Sequence, residues 1–334
     1  MRRLLVRMLP AFHLTRVTTA FAAVANVWFV VLWTRAHPRT EPGTEAIAHL
    51  PLWLVLLAAG INALGLFVLA ATLNDLLDWR RDAALHPDRP IPSGRVSVDG
   101  AISLVVVSFG AAVLGSTVLG IPSVVLTLAV GMAVLLFNAA GKFVPAVGLV
   151  ALGLIYAGQM VVPNLHLRFA WPVWLVMTHA LVVGAAVHVL GRKTPGVSAR
   201  AAAAAVAGWA FWSGVMLAAV WWRLRIDGDR GAAGGVWPSW VSPGTAVAPG
   251  VLALAFLLLV WRRVHLLGRG PRVAEKIARY GALWLPMYGA AWLLGEGATA
   301  GALLLAGVAV VGLLGMTVLR EVVALIEQPL GYRR

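Results

Sequence analysis

The sequence predicts an all-α, polytopic membrane protein, and three observations predict it. Of the 334 residues 60% are hydrophobic and only 12% charged, with a mean hydropathy of +0.86. Soluble domains carry about twice that share of charge. Apolar runs of around twenty residues recur from end to end, each long enough to cross a bilayer core of roughly 30 Å. Lys and Arg gather in every second connection, as they do in cytoplasmic loops.

We read ten spans, at approximately 11–34, 51–79, 99–119, 122–140, 144–163, 172–191, 199–223, 248–267, 275–295 and 299–325. The basic segment Met1–Arg7 leads into the first. That run is too long for a signal-peptide core and shows no small-residue cleavage site, so it reads as a retained span. The second span ends in the polar stretch Asn74–Asp82. The fourth closes on Phe137-Asn138-Ala139-Ala140-Gly141-Lys142 and the sixth on Gly191-Arg192-Lys193-Thr194. Ala201–Ala205 opens the seventh with small, strong helix formers that allow close packing. The ninth is cut into by Glu275, Lys276 and Arg279; without it nine spans remain and the C-terminus lies outside. With the N-terminus cytoplasmic, about 21 of the 27 basic residues fall inside and about six outside. One domain over 1–334 is expected.

Several function classes drop out. Cysteine is absent, which excludes disulfides, thiolate metal sites and a cysteine nucleophile. The net charge of +14 is explained by the basic inner loops, so no nucleic-acid partner is inferred. Asp227-Gly228-Asp229 lacks the later glutamate of a calcium loop. Trp33, Trp53, Trp79, Trp171, Trp174, Trp221, Trp222, Trp237 and Trp240 lie near span ends and read as interfacial anchors.

The acids are distributed unevenly. Five of thirteen, Asp75, Asp78, Asp82, Asp88 and Asp99, lie within twenty-five residues, and none occurs from Gly100 to Ile226. At about 100° per residue, Asp75, Asp78 and Asp82 share a helical arc of about 60°, with Asn74 beside them. Neighbours on such an arc lie roughly 5–6 Å apart, and at an effective dielectric near 20 each bare pair repels by roughly 3 kcal/mol. A hard divalent cation with oxygen ligands relieves that, and Mg²⁺ usually shares its shell with substrate phosphates. Neutralisation by Arg80, Arg81 and Arg89 is the other solution. Lys142, Arg192 and Lys193 come to the same membrane face. Acids and a metal facing Lys and Arg make a site for a diphosphate.

These residues resemble the UbiA-type intramembrane prenyltransferases. Asn74, Asp75, Asp78 and Asp82 complete the family's N-D-x-x-D-x-x-x-D motif, and Arg89, Pro90 and Gly94 follow as its Arg-Pro-x-x-x-Gly element. Phe137-Asn138…Lys142 resembles its aromatic-Asn…Lys element. The resemblance implies about nine to ten helices around a central cavity open near the cytoplasmic face. One departure stands out. The family's second acidic motif would fall near Val183 and Val187, ahead of Gly191 and Thr194, and here only His188 is polar nearby.

The resemblance implies transfer of an isoprenoid chain from a prenyl diphosphate to a lipophilic or aromatic acceptor, with the bilayer housing the chain. Mg²⁺ on Asp75, Asp78 and Asp82 would neutralise the leaving group, with Asp75, Asp78 and Lys142 as the catalytic set. Asn74, Arg89, Lys142, Arg192, Lys193 and His188 would bind substrate, and Arg16 and Asn26, polar within the first span, would line the cavity. Two alternatives stay open: a protein that binds prenyl lipids without turnover, and a transporter. A transporter calls for polar groups through the midplane, whereas polarity here gathers at one face.

Overall fold

The computed structural model describes residues 14–226 and 235–327, and within them the protein is helical with no strand. After a 3₁₀ turn, Val17–Thr19, come α1 (Ala20–Ala36), the short α2 (Glu45–His49), α3 (Leu52–Leu77) and α4 (Trp79–Leu85). Next are α5 (Val98–Leu119), α6 (Ile121–Ala139), α7 (Pro145–Met160) and α8 (Trp171–Leu190). The last four are α9 (Ala199–Ile226), α10 (Val247–Leu267), α11 (Pro271–Gly295) and α12 (Thr299–Glu327).

Seven of these helices are long and apolar enough to cross a bilayer, and α1 and α7 are shorter apolar helices. The remaining long helix, α11, carries Arg272, Glu275, Lys276 and Arg279 in its first half. The ten helices sit where the ten spans are expected. Met1–Arg7, Asp227-Gly228-Asp229 and the C-terminal arginines lie outside the described residues.

The packing is close because small residues stand where helices cross. A Cβ on Gly65 of α3 would lie 2.5 Å from the Ser108 carbonyl of α5, and one on Gly115 of α5 would lie 2.7 Å from the Ala58 carbonyl of α3. Such glycines let two backbones touch, the usual device where lipid removes the hydrophobic drive between helices. Asn62, fully buried on α3, donates to the Ala112 carbonyl at 2.9 Å and to Thr127 Oγ1 at 2.8 Å, joining α3, α5 and α6.

The ends of the bundle differ in chemistry. At the end away from the acidic motif, Trp33, Phe169, Trp237, Trp240 and Trp292 stack edge and face at centroid distances of 4.8–6.5 Å. Glu41 is buried among them. It accepts from Trp33 Nε1 at 3.2 Å and from the Arg168 and Phe169 amides at 2.8 and 2.9 Å. Burial pushes its carboxyl up to about 7 against those hydrogen bonds. This corrects part of the anchor reading: Trp33 is fully buried, and Trp171, Trp174, Trp237 and Trp240 pack inward. Trp53 and Trp222 remain more than half exposed, as anchors should be.

Candidate active site: a basic cavity over the acidic motif

The motif sits at a joint. Asp78 leaves helical geometry (φ −90°, ψ −1°) between α3 and α4, although its amide still bonds to the Asn74 carbonyl at 3.1 Å. The Asp82 amide likewise bonds to the Asp78 carbonyl at 2.8 Å. The span expected at 51–79 is α3, and the helical arc drawn on through Asp82 crosses from α3 into α4. The joint turns Asn74, Asp78 and Asp82 toward a cavity of about 1110 Å³ at this end of the bundle. Asp75 is not among its lining residues and is buried behind them.

Each aspartate has its own base. Lys142 Nζ donates to Asp78 Oδ2 at 2.7 Å and to Asn74 Oδ1 at 3.1 Å. Asn74 Nδ2 passes the network on to Asp75 Oδ1 at 3.0 Å, which also faces Arg16 Nη2 at 3.4 Å. Arg89 Nη1 meets Asp82 Oδ2 at 2.5 Å. The turn that brings Arg89 back needs a glycine: Gly94 has φ +71°, and the Val96 amide bonds to the Pro90 carbonyl at 2.9 Å. Lys142 arrives on the 3₁₀ turn Gly141–Phe143 between α6 and α7. Asn138 does not join it; its amide bonds back to the Val134 carbonyl at 3.0 Å.

The other wall is the end of α8. Val183 and Val187 line the cavity, so the positions where a second acidic motif would fall present methyl groups. Arg192 and Lys193 come next in the loop, and Arg81 Nη2 reaches across to Thr194 Oγ1 at 3.4 Å. Arg16 (φ +48°) and Arg192 (φ +51°) are the non-glycine residues with positive φ in the described chain, and both line this cavity. Such strain, roughly 1–3 kcal/mol each, concentrates at functional sites. Desolvation by the cavity walls, then Arg16, Arg89 and Lys142, lower the proton affinity of Lys193; Asp78 opposes them. His188 Nε2 donates to the Pro195 carbonyl at 2.8 Å at the mouth.

Deeper in, the cavity turns apolar, with Phe67, Leu149, Leu152, Ala180 and Leu285. One polar group of its wall is not among the expected site residues. His179, buried on α8, has Nε2 3.1 Å from the Gly281 carbonyl and Nδ1 3.1 Å from Tyr288 Oη. The carbonyl fixes the proton on Nε2, so Nδ1 accepts from Tyr288. A histidine in mid-span is a polar group where polar groups are costly, and that signal was legible. Asn26, expected to line the cavity, does not. It is buried beside a separate small void with Tyr288 and Trp292.

Among the described residues no three acidic or imidazole side chains gather to hold a metal ion. A three-aspartate ligand set is therefore absent from this arrangement. Beside the Asn74 amide oxygen the cavity presents two carboxylates, Asp78 and Asp82; a third, Glu275, is paired with Arg279 on α11. Mg²⁺ is commonly held by one or two carboxylates with substrate phosphates completing the shell, so this donor set fits a cation that arrives with a diphosphate.

No protein-family model and no curated protein matches the chain. A solved structure does: that of a digeranylgeranylglyceryl phosphate synthase in membranes, with a TM-score of 0.52 and 14% identity over 89% of this chain and 98% of that one. The protein thus shares the fold of that membrane synthase, and it is an integral, multi-pass helical protein.

Proposed function

We propose that the protein is a membrane prenyltransferase, moving an isoprenoid chain from a prenyl diphosphate to an acceptor at the cytoplasmic face. The observation that carries this reading is one cavity with two chemistries, a basic mouth over an apolar interior. A prenyl diphosphate has the same division. Its head suits Lys142, Arg89 and Arg16, with Arg192 and Lys193 adding positive potential. Its tail suits the apolar wall, where water is excluded and an allylic cation survives.

Ionisation leaves a diphosphate with about three negative charges, and fixed cations stabilise that charge as it develops. Lys142 already donates to both Asn74 and Asp78, so a short swing transfers its bonds to a phosphate oxygen. Bound at Asp78 and Asp82, Mg²⁺ would supply Lewis-acid neutralisation of the leaving group. Asp75, behind them, orients Asn74 and Arg16. In this reading the absent second acidic motif is compensated by the cations at the end of α8. A second reading, prenyl-lipid binding without turnover, is favoured by the pairing of every motif aspartate with a base.

The experiment is pyrophosphate release by purified protein given geranylgeranyl diphosphate, Mg²⁺ and a lipid extract of the host. We expect Mg²⁺-dependent release that falls at least a hundredfold in Asp78→Asn. Saturable binding of the diphosphate with no release from any extract would establish the second reading instead.

A further inference from the structure

The end of α8 is closed by a Schellman motif with an unexpected residue in it. The Lys193 amide bonds to the His188 carbonyl at 3.1 Å, and the Arg192 amide to the Val189 carbonyl at 3.3 Å. Such a cap needs one residue in the left-handed region, most often glycine, because a Cβ is strained there. Here that residue is Arg192, at φ +51°. The cap folds residues 193–195 back over the helix end, and the Pro195 carbonyl arrives 2.8 Å from His188 Nε2. A carbonyl only accepts, so the neutral ring carries its proton on Nε2 and its lone pair on Nδ1. Nδ1 makes no hydrogen bond among the described residues and is not closed off by burial.

Other proton acceptors of the cavity are engaged or unanchored. His179 has both ring nitrogens in hydrogen bonds. Asp78, Asp82 and Glu275 each hold a basic side chain. His86 also lines the mouth, but no hydrogen bond among the described residues orients its ring. Place matters as much as orientation. Along the cavity α8 presents Ala180, Val183, Gly184 and Val187, then His188, and its loop follows with Arg192 and Lys193. His188 thus marks the change from apolar wall to basic mouth. In a prenyl diphosphate the carbon that is attacked joins head to tail, so it belongs at that level. Imidazole, with an ordinary pKa of about 6.5, is the usual general base near neutral pH, and a hydrogen bond at one ring nitrogen orients the other.

Resting on the reading of the protein as a prenyltransferase, we propose that His188 is the general base of the transfer. Its Nδ1 takes the proton that the acceptor's nucleophilic atom must lose. The new bond forms between that atom and the prenyl carbon, the carbon–oxygen bond to diphosphate breaks, and diphosphate leaves with the electron pair. The imidazolium then returns the proton to solvent through the mouth. The Pro195 carbonyl holds the ring throughout, because Nε2 keeps its hydrogen in both protonation states. Arg192 acts indirectly: its backbone makes the turn that brings Pro195 into place.

The test uses the full chain in phosphatidylcholine nanodiscs with Mg²⁺, tritiated geranylgeranyl diphosphate and a lipid extract of the host, and counts prenyl groups transferred into the extract. A general base typically contributes about 10²–10⁴-fold. His188→Gln keeps a donor for the Pro195 carbonyl but removes the base. We expect it to lower transfer at least thirtyfold, while affinity for geranylgeranyl thiolodiphosphate, which ionises poorly, changes less than threefold. His188→Gly should regain transfer when imidazole is added, since the mouth admits solutes. A series of substituted imidazoles should rescue it in order of basicity, a dependence that a purely structural role does not produce. A smaller fall in His188→Gln, a loss of thiolodiphosphate affinity of threefold or more, or rescue indifferent to basicity would overturn the proposal. Absence of transfer by the unaltered protein is a separate result: it removes the transferase reading, and the base assignment goes with it.

Discussion

At the scale of single residues, the site is a set of acids each held by a base from elsewhere in the chain. Asp82 shows what that pairing is worth. Its side chain is 6% exposed, while its partner Arg89 is 37% exposed. Removing one partner of a buried pair costs about 3–5 kcal/mol, and the solvent around Arg89 reduces that to about 2. Arg89→Ala should therefore lower the melting temperature of the purified protein, and adding Asp82→Asn should restore much of it; a double variant no more stable than the single one would contradict the pairing. Glu41 acts at the opposite end. Its folded pKa, about 7, lies above the ordinary carboxylate value of 4.5, so the folded state binds the extra proton between those values. Its stabilising contribution is complete below about pH 4.5 and is lost as pH rises through 7, with a ceiling on the order of 3 kcal/mol. Thermal unfolding from pH 5 to 8 should show falling stability, and Glu41→Gln should flatten the slope. The residue identities at the site were legible: Asn74, Asp78, Asp82, Arg89, Lys142, Arg192, Lys193, His188 and Arg16 do converge. That Asp75 points elsewhere was not, because it stands about 100° round α3 from Asn74, and which side of that arc meets the cavity is decided by how α3 packs.

Among the elements, α3 carries both the motif and the closest packing, and these are linked. Gly65 and Gly115 set the depth at which α3 lies against α5, and that depth fixes where Asn74 and Asp78 emerge. Gly65→Ala forces a methyl group against the Ser108 carbonyl and the Ala112 amide. Overpacking of this kind costs typically about 1–3 kcal/mol. We expect that loss in chemical denaturation, together with weakened diphosphate binding; a variant that binds normally would uncouple packing from the site. The helices themselves could be read from hydropathy alone, since length and apolarity decide whether a segment crosses. Which face of a helix turns inward could not. Nearly continuous apolar sequence carries no periodicity, and so Trp33 and Trp53 look alike until their neighbours are known.

For the molecule as a whole, the charge asymmetry predicts orientation. The end holding Arg16, Arg81, Arg89, Lys142, Arg192 and Lys193 should face the cytoplasm. The chain has no cysteine, so single cysteines report cleanly. Ser242→Cys, at the opposite end, should react with an impermeant maleimide in intact cells, and Ser93→Cys only after permeabilisation. The reverse pattern would turn the cavity mouth outward and remove cytoplasmic prenyl diphosphate as its substrate.

The stacked Trp33, Phe169, Trp237, Trp240 and Trp292 have one more consequence. Among the described residues they close the end of the bundle away from the acidic motif, which leaves the basic end as the way in for polar cargo. If the protein is the prenyltransferase proposed above, substrate and spent head group would share that route. Turnover would then be a queue, paced by the spent head group clearing the doorway, and accumulated pyrophosphate would jam it.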